Sequence, residues 1–286
     1  MKKIITLILS IMMLGTVALA AACEPATKEP QVKVINVNLT EEEYAFVMKK
    51  GNTDLKQKFD TFLAKIEDNG TFDALLSKYF EGEGEKTGYA VTTDDVANSD
   101  SNLIVVTNCP FEPFEYLGTD GKIYGLDIEI AALFAQEYEL ELVIKNIAFD
   151  AIFTQVDAGY ADVGMAGITI SEDRVGLYEF STAYYNASQK LIVKADNTAF
   201  DNCTTAAEVE TVIASLEGKT FGYQTGTTGG MYVEGDEDWG YTGFANLTGK
   251  GYANAQLAAL DLVNGNIFAV VVDDAPAAAI EKAMNN

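Results

Sequence analysis

From Leu103 onward the chain alternates short β-branched runs with segments whose apolar residues recur at helical spacing. That alternation restricts the fold to sheets flanked by helices. The runs at Leu103–Val106, Leu140–Ile144, Ala161–Met165, Gln189–Val193, Thr220–Tyr223 and Phe268–Val272 predict strands. The segments Leu126–Tyr138, Ala151–Val156, Ala206–Leu216, Ala255–Val263 and Ala275–Met284 predict helices between them. Strands separated by helices pair in parallel, and such sheets gather ligands at the carboxyl ends of their strands. Upstream, Val32–Leu39 reads as a further strand. Asn52 or Thr53 caps a helix carrying Leu55, Phe59, Phe62, Leu63 and Ile66 on one face, and Gly70 ends it. A shorter helix opens at Thr71 and runs through Tyr79. Residues 81–101 are small, acidic and polar with no apolar period, which predicts a linker.

Composition removes several kinds of chemistry. The chain has 43 acidic residues against 19 basic ones, a net charge of -24, which leaves no basic footprint for nucleic acid. It contains no histidine, so every Ser-His or Cys-His arrangement and every His-ligated metal site is excluded. Its three cysteines include no closely spaced pair, which excludes a zinc knuckle or a CxxC redox motif. The basic residues are lysines with one exception, Arg174. No cofactor is expected.

The N-terminus carries an address. Lys2 and Lys3 precede an apolar run that ends in Ala20-Ala21-Ala22, so residues 1–22 read as an export signal. Cys23 follows directly, in the pattern of a bacterial lipoprotein signal whose cysteine is acylated, although Ala20 stands where leucine is usual. Residues 23–31, with Pro25 and Pro30, read as a solvated tether. The expectation is a protein held by lipid on the outer face of the bacterial cell membrane, or secreted if Cys23 stays free.

The motifs NCPFEPFEY, DGKIYGLDIEIAALFA, FDAIFTQVDAGYADVGMAGITISEDR and FSTAYY, between residues 108 and 185, are followed by YQTGTTGG and LVNGNIFAVVVDDAPA. In this order they resemble the polar amino-acid substrate-binding proteins of bacterial ABC importers. That resemblance implies the two-lobed periplasmic-binding-protein fold, α/β, with parallel-rich sheets flanked by helices and a ligand cleft between the lobes. Members of the family usually end with a strand, a TEEEY-like segment, a KKGN turn and two helices reaching a KYF. Here that stretch occupies residues 36–80, ahead of everything else, which suggests a circular permutant. On this reading residues 32–43 supply a strand of lobe 2 and a hinge, and 44–80 are the transposed part of lobe 1. Residues 81–101 would link it to the rest of lobe 1 at 102–188, and 189–286 would form lobe 2. The hinge crossings fall near Leu39–Tyr44 and Ala187–Lys190, with Val32 and Asn286 in the same lobe.

A free amino acid presents a carboxylate, an ammonium and a side chain. A carboxylate calls for a planar two-pronged donor and N–H groups. Gly167, Thr169 and Arg174 offer that grammar: a glycine, a hydroxyl and an arginine one helical turn on. The resemblance implies that Arg174 clamps the ligand carboxylate with help from Gly167 and Thr169. It also implies that Thr227 and Thr228 complete the site from the second lobe. The Thr225–Gly230 turn is no phosphate loop, because Met231 and Tyr232 stand where a lysine and a hydroxyl residue are needed. The ammonium requires a carboxylate, and Asp273 and Asp274 are both candidates. Phe111 and Phe149 correspond to positions that pack on the ligand side chain. Asn108 and Gln224 are neutral amides that hint at a neutral polar ligand. Cys109 and Cys203 are expected as free thiols in different lobes, and Trp239 as surface packing.

The function these readings imply is a monomeric solute receptor that closes on a free L-amino acid and delivers it to an ABC permease and, through that, its ATPase subunit. A rival is an enzyme on the same fold, dehydratase-like or peptidoglycan-active, with a carboxylate such as Glu112 as acid or base. A stand-alone amino-acid sensor is a third reading.

Overall fold

The computed structural model describes residues 29–286. The export signal, Cys23 and the tether up to residue 28 lie outside the described residues.

Strands β1 (Val32–Ile35), β2 (Glu42–Tyr44) and β3 (Val47–Lys49) come first. Helix α1 (Thr53–Asp68) forms because the Asn52 side chain accepts the Leu55 N–H at its start and Phe59, Phe62, Leu63 and Ile66 bury one face. Helix α2 (Thr71–Leu76) runs on into a π-helical turn over Ser77–Glu81. Strand β4 (Asn102–Thr107) is followed by the short ribbon β5 (Tyr116–Leu117) and β6 (Ile123–Tyr124). Next come α3 (Leu126–Glu137), β7 (Glu141–Asn146), α4 (Phe149–Asp157) and β8 (Val163–Gly164). Helix α5 (Glu172–Leu177) leads into β9 (Tyr178–Phe180), β10 (Tyr185–Ala187) and β11 (Gln189–Lys194). The remainder is α6 (Ala206–Ala214), β12 (Thr220–Gln224), α7 (Thr228–Glu234), β13 (Thr248–Tyr252), α8 (Ala255–Val263), β14 (Ala269–Asp273) and α9 (Asp274–Asn285).

These strands build two five-stranded sheets, in the orders β7-β4-β8-β3-β9 and β1-β11-β14-β12-β13. We call the bodies around them lobe 1 and lobe 2. Each sheet is parallel where helices connect its strands and antiparallel where β1, β3, β9 and β11 enter. Between the lobes β2 and β10 run side by side, Tyr44 opposite Tyr185 and Glu42 opposite Ala187. The lobe 1 core stacks Phe59 of α1 on Phe134 of α3, ring centroids 3.8 Å apart. In lobe 2 β1 pairs with β11, and Asn285 at the end of α9 bonds both the Gln31 N–H and the Val32 carbonyl.

Residues 81–101, expected as a linker, run pinned along lobe 1. Tyr89 and Ile123 exchange backbone hydrogen bonds, the Thr92 N–H reaches the Ile144 carbonyl, and Val96 packs on the core. Polar composition did not reveal this, because backbone groups make the attachment. Among the described residues no helix is long and apolar enough to cross a membrane.

Candidate functional site

The lobes meet over a cavity of about 10 Å³, near the minimum one water requires. Its lining brings together ten of the eleven ligand-site residues expected above: Asn108, Phe111, Phe149, Gly167, Thr169, Arg174, Gln224, Thr227, Thr228 and Asp273. Asp274, one of the two candidates left open for the ammonium, lies outside this lining. It is the first residue of α9, its carboxylate accepts the Ala275 N–H, and it lines a separate outer groove with Asn38 and Thr40. Asp273, the last residue of β14, faces the cavity and is buried. Glu112 also lies elsewhere, in a groove with Phe80 and the alanines of α9.

From lobe 1, Ser171 caps α5 by accepting the Arg174 N–H, which sets the arginine on the first turn. Its guanidinium is buried and donates to the Thr169 carbonyl at 3.0 Å and, across the cleft, to the Gly226 carbonyl at 3.3 Å. Burial lowers its pKa to about 10, so it remains charged at neutral pH. Gly167 holds a φ of +54°, and a Cβ there would come within 2.6 Å of the Phe111 ring. The positive φ and that close approach both require glycine. Its N–H donates to Asp127 at 3.1 Å, so this group is already committed inside lobe 1. Asn108 donates to the Ile147 carbonyl and accepts from Gln224 of lobe 2 at 2.7 Å.

From lobe 2, Thr227 caps α7 and donates to the Gln224 carbonyl. Asp273 accepts the Tyr44 hydroxyl at 2.6 Å and the Gln189 amide at 2.8 Å. Burial, reinforced by Glu42, pushes its carboxyl well above the usual range.

Sequence reasoning missed two carboxylates. Glu42 of β2 is buried between the lobes and accepts the hydroxyls of Thr40, Thr169 and Thr228 at 2.7, 2.7 and 2.9 Å. Two of the three threonines expected to hold a ligand carboxylate, Thr169 and Thr228, therefore aim at this protein carboxylate. Glu115 lines the cavity, is fully buried, and neither carboxylate oxygen has a hydrogen-bond partner. Burial, and the charge of Asp127, hold its pKa well above the carboxylate range. Gln224 Oε1 is a further buried acceptor without a partner. The available signals were Glu115 inside NCPFEPFEY and Glu42 inside TEEEY, both read as family markers and not as site groups.

Trp239 lies elsewhere than expected. It was expected to pack on the surface, but its ring lies 4.8 Å from the Arg174 guanidinium carbon, which Phe153 approaches at 4.7 Å. Cys109 and Cys203 are free thiols.

Asp127, fully buried, makes stability depend on pH. Burial raises its carboxyl to about 7, against the pull of hydrogen bonds from Tyr184 and Gly167. A free aspartate titrates near 3.9, so the folded chain keeps a proton that the unfolded chain releases. That stabilisation is complete below about pH 4 and lost as pH rises through about 7, on the order of 4 kcal/mol. Glu115 and Asp273 act in the same direction. The melting temperature is therefore expected to fall between pH 5 and pH 8. Asp127→Asn should flatten that slope, because the Tyr184 hydroxyl can turn to accept from the amide. Thermal melts of both proteins across pH check it.

Comparison with known proteins agrees with this architecture. The model of the bacterial extracellular solute-binding proteins, family 3, matches residues 103–284. The ABC transporter arginine-binding protein 1 of Escherichia coli K12 is 28% identical over 165 residues, 58% of this chain and 60% of that protein. The arginine-bound form of truncated ArgBP from T. maritima is 30% identical with a TM-score of 0.55, covering 64% of this chain and 78% of that one. The ancestral amino acid-binding protein AncCDT-1, a precursor of cyclohexadienyl dehydratase, is 25% identical with a TM-score of 0.56, covering 64% and 75%. The chain spans between 36% and 66% of the length of the curated relatives it matches. The fold is periplasmic-binding-protein-like.

Proposed function

The chain belongs to family 3 of the bacterial extracellular solute-binding proteins, and from that premise we propose that it binds a free L-amino acid between its lobes and delivers it to an ABC permease. The observation that carries this reading is the convergence, in one cleft, of the Arg174 guanidinium from lobe 1 and the Asp273 carboxylate from lobe 2. Arg174, with Thr169 and Thr228 released from Glu42, would take the ligand carboxylate. Asp273 would take the ammonium. The unpartnered acceptors of Glu115 and Gln224 suit a polar side chain that donates, an amide or a cation. This extends the expectation of a neutral polar ligand drawn from Asn108 and Gln224, since the lining also holds a buried carboxylate.

A free amino acid is far larger than a cavity of about 10 Å³, so admission requires the lobes to part, with β2 and β10 as the crossings that bend. Binding then selects the closed form because both lobes supply partners. No chemistry on the ligand is proposed. The relatives named above include binding proteins, and Glu112, the carboxylate an enzyme reading would recruit, lies outside the cleft.

The same reading includes a circularly permuted chain, a monomeric receptor and a lipid anchor at Cys23. The permutation is supported by the family match beginning at residue 103 while β1 and β3, upstream of it, each join a sheet with later strands. The anchor rests on the signal sequence alone.

The test is a thermal-shift survey of all twenty L-amino acids. A ligand present at a hundred times its Kd should stabilise the protein by about 2.7 kcal/mol. A shift with one or a few amino acids establishes the reading, and silence across all twenty removes it.

A further inference from the structure

Loop 235–247, between α7 and β13, belongs to lobe 2, yet its Trp239 lies against a side chain of lobe 1. We propose that Trp239 is a positioning residue for ligand capture: it closes over the cleft, stacks on the outer face of the Arg174 guanidinium, and holds that guanidinium aimed at the ligand carboxylate. This deepens the amino-acid reading and rests on it.

Three observations carry the proposal. The first is geometry. The guanidinium carbon sits 4.7 Å from the Phe153 ring of lobe 1 and 4.8 Å from the Trp239 ring of lobe 2. An arginine between two aromatic rings keeps its in-plane N–H edge free to donate while its faces are covered. Phe153 belongs to the same lobe as Arg174 and stays with it when the cleft opens. Trp239 leaves with the other lobe, so the second half of the sandwich exists in the closed form alone.

The second observation is that the loop is built to present this ring. Asp236 and Tyr241 exchange backbone hydrogen bonds at 2.9 Å each, and the Trp239 N–H donates to the Asp236 carbonyl at 3.2 Å. The base of the loop is fastened to α7: the Phe244 N–H reaches the Val233 carbonyl, and the rings of Tyr241 and Phe244 pack on Tyr232. Gly243 holds a φ of +64°, and a Cβ there would come within 2.4 Å of the Glu234 carbonyl carbon, so the return of the loop requires glycine. Tyr241 also comes close to Thr40, two residues ahead of β2. The loop therefore touches lobe 2, the hinge and Arg174 together.

The third observation is the state of the ring itself. Trp239 Nε1 is buried and has no hydrogen-bond partner. A buried indole normally finds one. The position is thus held by the face of the ring on the guanidinium, with no hydrogen bond fixing its edge. The pairing is also unambiguous, because the chain contains one tryptophan and one arginine.

The single tryptophan makes the test direct. Amino-acid binding is followed by thermal shift, and Trp239 emission is recorded in the same titrations, for the wild type, Trp239→Ala and Trp239→Phe. The expected result has three parts. The emission of the wild type changes saturably with the amino acid that stabilises it. Trp239→Ala binds that amino acid about tenfold more weakly. Trp239→Phe, which retains a ring face, recovers affinity to within about threefold of the wild type. Wild-type binding with silent tryptophan emission, or with full affinity in Trp239→Ala, overturns the role of Trp239 and leaves the receptor reading intact. Failure of every amino acid to stabilise the wild type removes both.

Discussion

Arg174→Ala is expected to weaken amino-acid binding by at least about a hundredfold, or ~2.7 kcal/mol. The size follows from where the charge sits. Arg174 is buried, it is the one arginine of the chain, and no other cation lines the cavity among the described residues. Removing it leaves a ligand carboxylate to enter a cleft already lined by Glu115 and Asp273, with Glu42 just behind Thr169 and Thr228 and hydroxyls among its few remaining donors. Truncating one partner of a buried charge pair costs the pair and also the desolvation of the charge left behind. The variant also leaves the Thr169 and Gly226 carbonyls without their donor and opens a gap between two rings, so some loss of stability is expected with the loss of binding. Arg174→Lys separates the two effects. Lysine restores the charge without the planar fork, so it should remain folded and bind between the wild type and the alanine variant. Calorimetric titration of the three proteins with the amino acid found by thermal shift checks the order. Equal affinities in all three would place the ligand carboxylate elsewhere.

Arg174 was legible because a chain that otherwise uses lysine spent one arginine in the first turn after a strand, and the neighbouring motif explains why. The alternation of strands and helices was legible for a similar reason: burial on one face or two leaves a period in the sequence. What stayed hidden depends on position between bodies. Glu42 lies in a three-residue strand whose role comes from being opposite β10 and between Thr169 and Thr228, and local periodicity carries no record of that. Glu115 follows an aromatic pair and was absorbed into a motif, while its burial without a partner is a property of the packed cleft. Trp239 sits in an acidic loop without apolar rhythm, and its partner is 65 residues away in the other lobe. The choice between Asp273 and Asp274 turned on a single residue: one ends the strand facing inward, the next opens the helix facing out. The attachment of residues 81–101 to lobe 1 was not legible, since backbone hydrogen bonds make it and composition carries no record of them.

Asp273→Asn should separate binding from stability, moving them in opposite directions. In the folded protein the Asp273 carboxyl is held well above its ordinary range by burial and by Glu42. The unfolded chain titrates near 3.9, so the protonated side chain stabilises the fold fully below about pH 4, and that contribution is lost as pH rises. Asparagine mimics the protonated form at every pH. The Tyr44 hydroxyl and the Gln189 amide both donate to one oxygen, Oδ1, and the amide oxygen of asparagine can accept both. The variant without ligand should therefore melt with the wild type at pH 4 and above it at pH 7. Binding should do the reverse. A ligand ammonium needs the carboxylate, so Asp273→Asn is expected to lose about a hundredfold in affinity or more. In the wild type the same requirement makes binding release a proton: affinity should fall as pH is lowered through the raised pKa of Asp273, and the binding heat should vary with the ionisation enthalpy of the buffer. Both effects should vanish in the variant. Calorimetry in two buffers, together with melts at pH 4 and pH 7, decides the matter. An asparagine variant that binds normally and melts early would make Asp273 a structural acceptor for Tyr44 and Gln189, and the ammonium site would then have to be sought at Glu42 or Glu115.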